Sequence, residues 1–232
     1  MNTENKGMSR REFLKTAVAA TAVAAGTVLL GAPLLSAVAG EPEYSKGRKG
    51  KMKILVITGS PRKQGNSNTL AEEFTRGAKE TGHDVVRFDA AFSNVHPCIA
   101  CNRCGMDGPC VFKDDFEFVR KHIVDADCVV FATPMYYFGI SAQLKTVIDR
   151  FYAINGQIHV PKKAVLLMTY ANTAASEAVA FPSFPIKSHY EALIKYLGWS
   201  DAGQIIAPGV WPVGAIKHTK FPQQAYELGK KI

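Results

Sequence analysis

Lys53-Ile54-Leu55-Val56-Ile57-Thr58-Gly59-Ser60-Pro61-Arg62-Lys63-Gln64-Gly65-Asn66-Ser67-Asn68-Thr69 changes character part-way along its length. Residues 54–58 are a short, continuous apolar run rich in β-branched side chains, as expected of a strand buried on both faces of a sheet. A polar, Gly-containing loop follows. Leu70, Phe74 and Ala78 then recur at helical spacing up to Gly82, where a left-handed C-terminal cap would sit. The order is strand, loop, helix.

The same alternation continues outward. Residues 84–88 read as a second strand, and Asp114 can cap a helix that places Phe116, Val119 and Ile123 on one face. Residues 128–132 read as a third strand, followed by a helix with Leu144, Val147, Ile148 and Phe151 on one stripe, and residues 164–169 as a fourth. Ile186, Tyr190, Leu193, Ile194 and Leu197 form another helical face ending at Gly198; residues 204–207 are a fifth strand and 223–231 a last helix. Five strands alternating with helices imply a single α/β domain with a doubly wound, five-stranded parallel sheet and right-handed crossovers.

Where the first strand meets its helix, backbone N–H groups and the helix dipole favour an anion. Ser60, Arg62, Asn66, Ser67 and Asn68 add donors suited to a terminal monophosphate. The loop matches neither the triphosphate-binding loop nor the dinucleotide Gly-x-Gly-x-x-Gly fingerprint. A polar turn with Asn66 or Ser67 as the helix cap is the competing interpretation.

Cys98, Cys101, Cys104 and Cys110 form C-x2-C-x2-C-x5-C, whereas Cys128 falls on the third strand as an apolar filler. Two-residue gaps let thiolates converge on one soft centre, which is how compact iron-sulfur sites are made. A zinc site of four thiolates, two disulfides, and four free thiols remain alternatives on these residues. His96 and His122 are read as a loop and a helix-surface histidine. No Ser/His/Asp or His-rich constellation suggests hydrolysis, so no catalytic side chain is assigned.

At the N-terminus, residues 1–39 run from a polar start through Arg10-Arg11-Glu12-Phe13-Leu14-Lys15 and an Ala/Val/Leu stretch to Ala37-Val38-Ala39, a signal-peptide layout. The arginine pair resembles the twin-arginine translocation signal, which exports folded proteins and permits cofactor insertion beforehand. Uncleaved, the apolar stretch is long enough to anchor the chain in a membrane; cleavage after Ala39 would leave no membrane span, residues 40–52 as a linker, and residues 53–232 as the mature domain, in the periplasm or otherwise exported. The chain is 47% hydrophobic with a formal charge of +8. Removing the four basic and two acidic residues of 1–39 takes +8 to +6. Its Lys and Arg residues are scattered without aromatic interleaving, which weighs against a nucleic-acid-binding face.

The loop Gly59-Ser60-Pro61-Arg62-Lys63-x-Gly65-Asn66-Ser67 is similar to the FMN phosphate loop of the NADPH-dependent FMN reductase superfamily, a flavodoxin-like branch. The resemblance spans Lys53 to about Trp199 and strengthens at Thr133-Pro134-Met135-Tyr136-Tyr137-Phe138-Gly139-Ile140-Ser141-Ala142-Gln143-Leu144-Lys145, followed by Asp149-Arg150. It implies that Pro134, Met135, Tyr136, Tyr137, Phe138 and Gly139 wrap the isoalloxazine ring, with residues 170–174 at the same sheet edge. The cysteine motif resembles that of the family's iron-sulfur flavoproteins, implying that Cys98, Cys101, Cys104 and Cys110 hold a 4Fe-4S cluster, often near FMN of a neighbouring subunit. Implied with it are electron transfer through FMN, a homo-oligomer (dimer or tetramer), and a redox partner protein or small-molecule acceptor. NAD(P)H is the family's donor, although an exported location offers no obvious nicotinamide pool. The alternatives are a cluster-less NAD(P)H-dependent FMN or quinone reductase and a non-enzymatic flavodoxin-type carrier.

Overall fold

The computed structural model describes residues 50–173 and 184–232, all within one compact unit. The signal-like segment and most of the linker lie outside them. Strands β1 (Lys53–Thr58), β2 (Asp84–Asp89), β3 (Cys128–Tyr136), β5 (Lys163–Thr169) and β6 (Ser200–Ala207) form the sheet, and β4 (Gly139–Ile140) pairs antiparallel with the end of β3. The helices are α1 (Asn66–Glu80), α2 (Phe116–Asp125), α3 (Ala142–Asp149), α4 (Phe184–Leu197) and α5 (Phe221–Lys231), with a 3-10 segment (Arg150–Ile154) and one helical turn (Asn155–Ile158) after α3.

Sheet order is β2-β1-β3-β5-β6, all parallel. This is the flavodoxin-like order, in which the chain reverses direction across the sheet between β1 and β3. Alternate residues of each strand serve opposite faces. Leu55, Ile57, Val129, Phe131, Leu166 and Met168 pack with residues of α2, α3 and α4, while Ile54, Val56, Val130, Val165 and Leu167 pack with residues of α1 and α5. Continuous apolar runs are what such double coverage requires.

Helix ends follow local chemistry. Gly82 and Gly198 take positive φ, +91° and +70°, and His83 N and Trp199 N donate back to Ala78 O and Ile194 O. These are left-handed C-terminal caps. Gly77 and Gly229 let α1 and α5 touch: a Cβ on Gly77 would sit 2.1 Å from Tyr226 O, and one on Gly229 2.2 Å from Phe74 O.

Two strands exceed their sequence-based bounds by four residues each. β3 runs to Tyr136 rather than stopping at Ala132, because Pro134 still pairs with Thr169 of β5 and Met135 then pairs with Ile140. β6 starts at Ser200 rather than Gln204; it pairs on one side only, so its first residues, exposed Ser200 and Asp201 and half-buried Ala202 and Gly203, carry no apolar run. Among the described residues no helix is long and apolar enough to cross a membrane.

Candidate functional site

The first turn after β1 is pressed against the loop after β3. Gly59 N donates to Ala132 O at 2.8 Å, and a Cβ on Gly59 would lie 2.2 Å from Ser141 Oγ and 2.7 Å from Leu144 Cβ. Ser141 is the N-cap of α3, accepting from Leu144 N at 3.3 Å, and its own N–H is held by Thr133 Oγ1 at 3.0 Å. Glycine at 59 therefore sets the two loops side by side.

Gly65 is the N-cap of α1, and no side chain satisfies the helix's first N–H groups. Neither Asn66 nor Ser67 is spent on capping. Asn66 Nδ2 donates to Val210 O and Pro212 O at 2.8 and 2.9 Å, and its Oδ1 accepts from Ile216 N. Ser67 Oγ is buried against Thr169 Oγ1 at 2.7 Å. Asn68 Nδ2 donates to Arg62 O and Lys63 O, and Ser60 Oγ lies near both Arg62 N and O, so these two shape the loop. Arg62 itself is exposed. A bare helix N-terminus beside an exposed guanidinium is a site for an anion.

The aromatic segment turns back through a two-residue hairpin. Tyr136 pairs with Gly139, and Tyr137 and Phe138 both take left-handed backbone, φ +45° and +64°. Bulky residues seldom adopt this conformation, at about 1–3 kcal/mol each. Tyr137 is fully exposed. A cleft of about 720 Å³ is lined from one side by Ser60, Arg62, Gly65 and Asn66 and from the other by residues 134–138, with Tyr170, Ala171 and Asn172 at its edge. That volume is within the about 300–1,000 Å³ typical of cofactor sites, and the cleft lies at the carboxyl ends of β1, β3 and β5, the expected place in an open α/β sheet.

The cysteine loop leaves the carboxyl end of β2. Its four cysteines line one small cavity with Arg150, and all are free thiols. Ala100 and Asn102, each inside a two-residue gap, have left-handed backbone at φ +54° and +55°. Among the described residues no group of three or more His, Cys, Asp or Glu stands ready-placed to hold a metal ion. The donor set fits a thiolate-bound centre in number and in sharing a cavity, though the thiols are not drawn together. The loop is stapled from below: Asp107 Oδ1 accepts from Gly156 N and Gln157 N, and Asn155 N donates to Met106 O. Cys128 lies apart, wholly buried, and burial pushes its thiol up to about 12.

The model of the NADPH-dependent FMN reductase family matches residues 52–194, more than half of the chain. The chain belongs to that family. As an NADPH-dependent FMN reductase family member it is a flavin-dependent oxidoreductase. It is 29% identical over 185 residues to an iron-sulfur flavoprotein of Archaeoglobus fulgidus, covering 78% of this chain and 79% of the relative. An iron-sulfur flavoprotein of Methanocaldococcus jannaschii is 37% identical over 99 residues, 43% of this chain and 51% of the relative. In fold it is similar to the NAD(P)H:quinone oxidoreductase of Methanothermobacter marburgensis, with TM-score 0.64, 19% identity, and coverage of 78% of this chain and 96% of that one.

Val210 and Trp211 complete the cleft of this family member, and sequence reasoning did not single them out. Their signal was the Pro208-Gly209 turn directly after β6, at the same sheet edge as the other loops. Arg150 and Asp107 were equally silent as parts of the cysteine site. Residue 174 of the third loop lies outside the described residues.

Proposed function

We propose that the chain binds FMN in the 720 Å³ cleft and exchanges electrons with a partner through a 4Fe-4S cluster held by Cys98, Cys101, Cys104 and Cys110. The observation that carries the flavin half is the convergence of the uncapped α1 N-terminus, Arg62 and residues 134–138 on one cleft. FMN, when bound, supplies the one- and two-electron chemistry. The uncapped N–H groups of α1 and Arg62 would hold the terminal phosphate. Gly65 keeps that cradle open, since a Cβ there would come within 2.6 Å of Ser60 Oγ and 2.9 Å of Arg62 O. Residues 134–139 would shelter the ring from water, and the Asn66 amide would hold the segment bearing Trp211 against the phosphate loop.

The four thiols fit the cluster by their shared cavity and by the left-handed turns at Ala100 and Asn102, which bend the chain tightly around it. Relatives named iron-sulfur flavoproteins support the same reading. Residues 1–39 extend it to an exported protein, matured by cleavage after Ala39, that works as a homo-oligomer with a redox partner protein or a small acceptor.

Flavin, iron, acid-labile sulfide and zinc per chain, measured on anaerobically isolated protein, test the proposal. One FMN with roughly four iron and four sulfide is expected. A colourless protein that takes up no added FMN sinks the flavin site. Flavin without iron or sulfide leaves the cluster-less reductase, which the separated thiols favour.

A further inference from the structure

Three of the five guanidinium N–H donors of Arg150 meet acceptors in the fold, and the buried Nε is one of the two left over. Its side chain is 1% exposed, and a guanidinium is almost never so buried unless paired. Nη1 donates to Asp114 Oδ2 at 2.8 Å and to His96 O at 2.9 Å, and Nη2 donates to Asp114 Oδ1 at 3.3 Å. The Phe112 and Phe116 rings flank it, at 5.4 and 4.8 Å from Cζ to the ring centroids. Nε has no hydrogen-bond partner although it is buried. The cavity that Arg150 lines is the one lined by Cys98, Cys101, Cys104 and Cys110.

Tying down the loop accounts for the two Nη groups, because His96 precedes Cys98 and Asp114 follows Cys110. It does not account for Nε. A buried donor without an acceptor is unfavourable, and a neutral thiol is only a weak acceptor. Ionised sulfur in the same cavity is a strong one, and a charge-assisted bond to it is stronger than a neutral one.

We propose that Arg150 Nε–H is a hydrogen-bond donor to the sulfur centre of the four-cysteine site, and that it raises that centre's reduction potential. The inference rests on the cluster reading above. A donor on a cationic group stabilises the more negative, reduced form of a thiolate-bound centre more than the oxidised form, and hydrogen bonds to sulfur are among the features that set such potentials. Asp114 neutralises the guanidinium's charge at longer range, so the effect is carried by the local N–H.

The test uses the full holoprotein, isolated anaerobically and labelled with 15N in its arginine side chains. Arg103→Lys and Arg120→Lys form the background, which removes the other two arginines of the region. Pulsed electron paramagnetic resonance of the reduced cluster is expected to show an arginine 15N coupling. Arg150→Lys keeps a cation for Asp114 but lacks the Nε–H, so the coupling should vanish and the cluster midpoint potential should move to more negative values with iron content kept. Iron and sulfide present without an arginine coupling overturn the inference and leave the cluster reading intact. An unchanged potential in an iron-replete Arg150→Lys overturns it as well. Absence of iron and sulfide overturns both. Should Arg150→Lys fail to fold, the coupling in the background protein decides alone.

Discussion

Arg150 and Asp114 form a buried ion pair, Nη1 to Oδ2 at 2.8 Å, with side chains 1% and 2% exposed. Burial alone would raise the Asp114 carboxyl; the Arg150 hydrogen bond and the N–H groups of His96 and Phe116 outweigh it and hold the group at about 2. Removing one partner of such a pair leaves an uncompensated charge in the interior. Asp114→Asn should therefore destabilise the domain by about 3–5 kcal/mol, read as a lower urea midpoint at neutral pH.

The same pair sets an acid limit. Asp114 is depressed in the folded state, so its contribution is fully present above its unfolded value near pH 4 and is lost as pH falls toward 2. About 2–3 kcal/mol should disappear across that window. Urea titrations at pH 5, 4 and 3 check it; in Asp114→Asn that share of the acid loss should be missing.

Replacing Tyr137-Phe138 by Asn-Gly should stabilise the apoprotein by roughly 1–2 kcal/mol. Asn and Gly accept the left-handed backbone that this two-residue hairpin demands. FMN retention should fall in the same variant, because the aromatic residues line the cleft. A variant that is more stable and binds FMN as well as the parent would show that the strain serves something else.

Arg62→Ala should weaken FMN binding by roughly 10–100-fold, the range of one charge-assisted hydrogen bond of about 1.5–3 kcal/mol. The melting temperature of the apoprotein should stay put, since Arg62 is exposed and holds the loop through its backbone N–H and carbonyl rather than its guanidinium. Fluorescence titration with FMN measures the first and calorimetry the second. Equal affinity would mean that the phosphate lies elsewhere.

In metal-free, reduced protein at pH 8, iodoacetamide should modify the four loop cysteines and spare Cys128. Cys98 and Cys101 are exposed and Cys104 and Cys110 half-buried, whereas the Cys128 thiol, pushed up to about 12 by burial, stays neutral and inaccessible. Peptide mass mapping counts the sites; Cys128 should react only after denaturation.

The sheet and its helices were legible because their signals are local. The run from Ile54 to Thr58 has to be covered on both faces, and Leu70, Phe74 and Ala78 share one helical face whatever lies elsewhere. Arg62 and residues 134–138 stood out as candidates because each sits at a strand's carboxyl end, and the fold sets them on one cleft. Asn66, Ser67 and Asn68 show the other side. As residue types all three read as phosphate donors, and Asn66 and Ser67 equally well as caps, while their partners Val210, Thr169 and Arg62 O are set by folding.

Sequence by itself determined the parallel α/β architecture, the polar turn after β1 and the clustering of four cysteines, because apolar periodicity, glycine and short spacing act between neighbours in the chain. Tertiary structure alone decided which loops share a cleft. It brought Pro212 to Asn66 and Arg150 to Asp114, contacts across 146 and 36 residues whose partners are chosen by strand order and helix packing. Hydrogen bonding and ion pairing depend on distances of a few ångströms, and such distances between remote residues exist only once the sheet has closed on its helices.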